Sequence, residues 1–264
     1  MKTLPNLLSL LVLCAGSAEA NAESAWRLGL ALGAGERTNP LIESKRLPIA
    51  VDVDVAWFGE RFFFDNGDLG FTVLDRPSGT LNLVARVNSD RVFFGRTNTK
   101  FVNVSVTGAS LPAPVELRVP ERSWAIEVGA EWLADGDWGA LALAAHRDAS
   151  GTHGGHSADA EYSYTFRGRR WSLEPGISAH YKSAALGDYY WGVRPGEAST
   201  ALPPYTAGAG VNWEASLRAS WYLSRHWRLA ASAHYERLNA AVADSPLTKD
   251  RAVKSWFAGI AWRY

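Results

Sequence analysis

Two histidines three residues apart, His153-Gly-Gly-His156, offer the most obvious chemistry in this chain. With Asp148 and Asp159 nearby in sequence, they supply two imidazoles and carboxylates, a donor set that suits a borderline divalent metal such as zinc. Glycines between the two rings leave the pair without preorganisation, so a metal would bear the whole cost of ordering the segment. The plainer expectation is a polar loop in which the histidines are incidental and no metal binds. A nucleophilic site is the next possibility. His146, His180 and His234 fall in segments of strand character, yet no serine and acid stand at a spacing that would build a triad with them. No catalytic or cofactor-binding residue is assigned on this basis, no cofactor is expected, and neither is an enzyme.

The more informative set consists of charges that recur at every second position. Asp52 and Asp54 alternate with Val51, Val53 and Val55; Glu127 and Glu131 alternate with Ile126, Val128 and Ala130. Glu161, Glu174, Glu214, Glu236, Arg27, Arg86, Arg218, Arg228 and Arg263 behave alike in their own segments. A period of two places neighbouring side chains on opposite faces of a strand. If the apolar face meets lipid, the charged face lines an interior. There the charges either pair and fill the lumen, since buried charge needs a partner, or line a narrow channel that prefers cations. Both readings remain open at this point.

The closing stretch, Lys254–Tyr264, shows the pattern most clearly: Trp256, Ala258, Ile260, Trp262 and Tyr264 share one face. Such a strand, apolar outward and ending on an aromatic, serves to close a membrane barrel and to signal its assembly machinery; a soluble protein that exposed it would aggregate. Similar segments run back to Trp26, giving about twelve strands in an antiparallel transmembrane β-barrel. Asn66-Gly67 marks a tight hairpin. Short turns alternate with long loops, as expected for short periplasmic turns and long extracellular loops. Trp26, Trp57, Trp124, Trp132, Trp138, Trp171, Trp221 and Trp227 stand at strand ends, as in an aromatic girdle. Residues 89–122, with prolines at 112, 114 and 120, predict a long loop holding at most a short hairpin.

The N-terminus supplies the address. Met1-Lys2, the apolar run Leu7–Leu13 and Ala18-Glu19-Ala20 read as a cleaved signal peptide over 1–20, followed by a barrel over 21–264. A lipoprotein signal at Cys14 is the rival, weakened by the bulky Leu13 before it. The single cysteine would leave with the signal, so no disulfide is expected. Lysine plus arginine equal aspartate plus glutamate at 27 each, which gives no reason to invoke nucleic acid. The expected location is the outer membrane of a Gram-negative-type bacterium, in contact with its lipid.

Asp188-Tyr189-Tyr190-Trp191-Gly192-Val193, Tyr205, Arg237-Leu238, Asp244-Ser245-Pro246 and the closing Gly259–Tyr264 resemble the MipA/OmpV family of outer-membrane proteins, named for an MltA-interacting protein. The insertion of Trp191 between the second tyrosine and Gly192 departs from that pattern. The resemblance implies a non-enzymatic scaffold that links a lytic murein transglycosylase to a murein synthase. The alternative is a narrow channel for small polar or cationic solutes. The tyrosine-rich loop itself is expected to join the interfacial belt or to fold back over the barrel mouth.

Overall fold

The computed structural model describes residues 25–94 and 119–263; residues 1–24, 95–118 and Tyr264 lie outside it, and with them the expected signal peptide and most of the proline-bearing loop. A single closed antiparallel sheet is formed by β1 (Ala25–Arg37), β2 (Leu47–Phe58), β3 (Phe62–Asp65), β4 (Asp68–Arg76), β5 (Gly79–Val87), β6 (Ile126–Gly136), β7 (Gly139–Asp148), β8 (His156–Ser163, resumed at Phe166–Arg167), β9 (Trp171–Lys182), β10 (Gly210–Tyr222), β11 (Trp227–Arg237) and β12 (Ala252–Arg263). Each strand pairs with its sequence neighbours, and β1 pairs with β12 from Gly29↔Arg263 to Arg37↔Ser255, which closes the cylinder. Closure leaves no sheet edge along that seam for another chain to extend. The two pieces of β8 both pair with β9 and flank a break at Tyr164-Thr165, so the barrel has twelve strands.

The alternation read from the sequence is the alternation of the wall. On β1, Trp26, Leu28, Leu30 and Leu32 are exposed to the outside, and Ala31 is buried inside. On β12, Trp256 and Ile260 face outward while Phe257 and Ala261 are buried. An apolar outer surface of this extent is stable only against lipid. Indole pairs ring the end that carries the short turns: Trp26 lies opposite Trp57, Trp171 opposite Trp221, and Trp227 opposite Trp262. Trp124, Trp213, Tyr235 and Trp256 mark the other end. From Trp213 to Trp221 the strand is roughly 26 Å long, which at a tilt of about 40° covers about 20 Å along the membrane normal, most of the apolar band. No helix among the described residues is long and apolar enough to cross a membrane.

Two local details fix the register. Asn66 and Gly67 adopt φ of 50° and 109°, a hairpin turn that needs left-handed backbone at both positions. At the seam, Gly33 lies opposite Gly259, and a Cβ on Gly33 would sit 2.2 Å from the Ala258 carbonyl oxygen. Glycine is the residue that permits this approach.

The long loops differ from the sequence expectation. Residues Ser89–Phe94 form a short 3-10 helix, α1 (Ala184–Trp191) sits inside the stretch expected to be irregular, and α2 (Ala240–Ala243) follows β11. β10 begins at Gly210, just after Gly208, whose φ of 71° turns the chain into the strand. β6 likewise begins at Ile126, leaving Trp124 in the preceding loop.

Candidate functional site: a capped and ion-paired lumen

The loops at the extracellular end pack on one another. Leu41 from the β1–β2 loop, Phe93 and Phe94 after β5, Val119, Leu186, Tyr190 and Trp191 of α1, and Val242 and Leu247 after β11 form one buried cluster. Tyr190, Trp191, Leu41 and Leu247 are each fully buried. The Trp191 ring lies between Phe93 and Phe94 at centroid distances of 6.0 and 5.6 Å. Apolar residues that a sequence reading assigns to four separate loops thus make a second hydrophobic core, which caps the barrel mouth.

Polar bonds tie that core together, and most pass through the residues that carried the family resemblance. Asp188 accepts at its carbonyl oxygen from the Gly192 N–H (2.9 Å) and at Oδ1 from the Ala207 N–H (3.3 Å). A Cβ on Gly192 would fall 2.4 Å from both of those acceptors, so no larger residue fits there. Val193 and Tyr205 exchange backbone hydrogen bonds of 2.8 and 3.0 Å, and the Tyr205 hydroxyl donates to Ala241 O on α2 (2.9 Å). Ser245 donates its hydroxyl to Trp191 O (2.5 Å) and accepts from the Leu247 N–H (3.1 Å). Asp244 caps α2 and forms an exposed ion pair with Arg251, and Pro246 is half-buried between Ser245 and Leu247. Tyr190 donates to Ser123 O and Tyr189 accepts from the Ser123 N–H, at 3.2 and 3.0 Å. Burial pushes the Tyr190 phenol well above its ordinary range, so this donor keeps its proton.

Arg122, which no sequence signal singled out, is the bolt of the cap. Its guanidinium is almost fully buried; it grips Glu197 at 2.7 and 3.0 Å, donates to Gly192 O at 2.9 Å and lies over the Tyr189 ring. A planar fork meeting a carboxylate in this manner is a geometry that lysine cannot copy. Burial pushes the Glu197 carboxyl up, but the Arg122 hydrogen bonds, the Arg194 N–H and both guanidinium charges outweigh it and hold the group below the usual range. Arg122→Lys should therefore cost about 2 kcal/mol of cap stability, read as faster amide exchange in α1 with the barrel strands unchanged. A carboxyl lowered by folding stabilises above its unfolded value, near pH 4.3, and loses that contribution as pH falls through the folded value. Protection in α1 should accordingly drop in acid, and in the lysine variant it should drop at higher pH.

Beneath the cap, the alternating charges face inward as read from the sequence, and most have partners. Arg27 bonds Asp54 at 3.2 Å and Asp65 at 2.8 Å. Arg86 on β5 bonds Glu127 on the next strand at 3.0 Å, then reaches past β6 and β7 to Asp159 on β8 at 3.1 Å. Glu127 is wholly buried and also accepts from Asn88 Nδ2 at 2.8 Å. Arg218 holds Glu174 with a 2.9 Å bond, His234 meets Glu214 at 2.9 Å, and Asn212 donates to Glu236 at 2.7 Å. Glu131 accepts from Asn82 at 3.4 Å. Arg228 is half-buried with no hydrogen-bond partner for its Nε, and Asp52 is a half-buried inward residue beside Asp54.

The metal reading of His153 and His156 places two unlike residues together. His153 is buried: its Nδ1 accepts from the Gly155 N–H at 3.0 Å, and its Nε2 faces Glu127 Oε1 at 3.3 Å. Asp148 accepts from the His153 and Gly154 N–H groups at 2.6 and 2.7 Å, forming the turn around it. His156 is exposed, with its ring against Tyr181. Among the described residues no group of three or more His, Cys, Asp or Glu side chains has the geometry of a metal site. His153 is thus a buried ring hydrogen-bonded within the β7–β8 loop, with its Nε2 set beside the lumen carboxylate of Glu127.

The family model described as MltA-interacting protein MipA matches residues 28–264. The chain belongs to that family. Named relatives are outer-membrane proteins: "Putative outer membrane protein YiaT" of Escherichia coli O157:H7 is 22% identical over 211 residues, covering 80% of each chain. Outer membrane protein OmpV of Vibrio cholerae is 25% identical over 92 residues, 35% of each. Solved structures matched over most of the chain include a loop-deletion mutant of Vibrio cholerae OmpT, at 9% identity, 92% and 100% coverage and a TM-score of 0.37. The Pseudomonas putida toluene transporter TodX matches at 10% identity, 92% and 90% coverage and a TM-score of 0.38. The protein is an outer-membrane barrel of the MipA family.

Proposed function

We propose that this protein is a non-enzymatic scaffold of the envelope, which holds murein-processing enzymes at the inner surface of the outer membrane. The observation that carries the reading is the cap: a fully buried aromatic and aliphatic core lies over a lumen whose charges are tied up with one another. A barrel of this kind is better built to stand in the membrane than to conduct. The family's description as an MltA-interacting protein supports a lytic murein transglycosylase as the first partner; a murein synthase is proposed as the second. Such partners reach the barrel only from the periplasm, where it offers the turns near Gly59, Pro77, Asp137, Gly168 and Ser224. Those turns are small, so the contact is expected to be weak and spread over several of them.

Cross-linking in intact envelopes, followed by purification of this chain, tests the proposal. The expected result is recovery of a murein transglycosylase or synthase, lost when the periplasmic turns are replaced. Recovery of assembly machinery and general envelope proteins alone would remove the scaffold reading. Steady conductance of the purified chain in a planar bilayer would favour the narrow channel in its place.

A further inference from the structure

The charges at the periplasmic rim are sorted by position around the barrel. The β8–β9 turn carries Arg167, Arg169 and Arg170, the β10–β11 turn carries Arg225 and His226, and β12 ends on Arg263. All six are exposed. No acidic residue lies in 163–172, 221–228 or 260–263, and among the described residues none of these five arginines has an ion-pair partner. The opposite side carries Glu60, Asp75, Asp135 and Asp137 against Arg61 and Arg76.

The turn residues Arg169, Arg170 and Arg225 form the arc, while Arg167 and Arg263 take the strand face opposite the outward Phe166 and Trp262. Tyr222 N–H donates to Arg170 O at 2.8 Å, and Arg263 N–H donates to His226 O at 2.9 Å, so the two turns and the end of β12 are bonded side by side. Directly beside them stand the exposed lipid-facing rings of Phe166, Trp171, Trp221 and Trp227, and Leu223, a residue 53% exposed within the turn itself. Rings of this kind settle at the depth of the lipid headgroups. An arginine one or two residues beyond them stands at phosphate level, where its fork can take two phosphate oxygens.

We infer that this arc binds anionic glycerophospholipids of the periplasmic leaflet, through their phosphates and added headgroup charge. The shortness of the turns holds the guanidinium groups against the membrane surface. The Gly168 and Ser224 turns also belong to the surface proposed for the murein enzymes, so the inference is tested on lipid alone, with those partners absent. Each cation near a charged membrane surface is worth about five-fold in local association, so even two engaged arginines give a selectivity that is easily measured.

The test uses the chain purified from outer membranes and reconstituted in phosphatidylcholine vesicles. Trace spin-labelled phosphatidylglycerol is compared with trace spin-labelled phosphatidylcholine at the protein boundary. Phosphatidylglycerol should be enriched several-fold, and the enrichment should shrink with added salt. Arg169→Gln/Arg170→Gln/Arg225→Gln should abolish it, while Arg61→Gln/Arg76→Gln on the opposite side should retain it; heat-dependent gel mobility confirms that each variant is folded. Equal association of the two lipids with the unaltered chain, salt-independent enrichment, or full enrichment in the triple variant would overturn the inference. So would a triple variant that keeps its lipid preference but loses cross-links to a periplasmic protein, which would mark the arc as a protein-docking surface.

Discussion

Trp191→Ala is expected to lower the stability of the extracellular cap by about 3–5 kcal/mol, the usual cost of removing a buried indole. The ring is fully buried between Phe93 and Phe94, and neither neighbour can collapse into the space without leaving its own contacts with Tyr190 and the loops. The loss should be local. Barrel closure depends on the β1–β12 ladder and the lipid-facing side chains, and that ladder meets the cap core at its extracellular end, through Val253 and through Arg37 over the Phe93 ring. The variant should therefore keep its heat-dependent gel mobility, while residues 183–209 and 238–251 become cleavable by protease added from outside and their amides exchange faster. A variant whose loops stayed resistant would show that the cap is held by its hydrogen bonds, such as that from Ser245 to Trp191 O, and not by packing of the ring. Loss of the barrel along with the cap would show that the two cores fold as one unit.

The barrel wall was legible in the sequence because lipid imposes a rule that acts on single residues. Every outward position must be apolar, so Leu28, Leu30 and Leu32 on β1, or Leu217 and Ala219 on β10, announce their face without reference to any partner. The inward charges were legible for the same reason. The cap was not, because its order is set by contacts between distant loops. Leu41, Phe94, Trp191 and Leu247 meet in space but share no period, and α1 is flanked by an N-cap, Ser183, whose side chain makes no capping bond to the helix. Its Oγ accepts instead from the His156 N–H. Arg122 shows the limit most sharply: in sequence it is an arginine between Glu121 and Ser123, and only its 75-residue reach to Glu197 gives it meaning. The motif residues Asp188, Tyr190, Gly192, Tyr205 and Ser245 all lie in the cap and hydrogen-bond within it.

The lumen charges lead to the other large effect. Glu127→Ala should destabilise the folded barrel by about 3–5 kcal/mol, the range for removing one partner of a buried pair. The carboxylate is wholly buried and bonds two groups at once, Arg86 Nε at 3.0 Å and Asn88 Nδ2 at 2.8 Å, with His153 Nε2 lying 3.3 Å away. Deleting it leaves Arg86 with Asp159 and Ser157 and strands the Asn88 amide away from water, where an unpaired group is costly. Glu127→Gln keeps an acceptor of the same shape and should lose less, about 1–3 kcal/mol, chiefly the charged part of the Arg86 bond. Urea unfolding of the lipid-reconstituted barrel, followed by tryptophan fluorescence, measures both. If the two variants proved equally stable, the lumen would be hydrated enough for water to replace the carboxylate, and the network would then be the lining of a wet interior. The ordering alanine below glutamine below glutamate would instead show a lumen that excludes water around β5, β6 and the His153 loop, which is the condition a non-conducting scaffold requires.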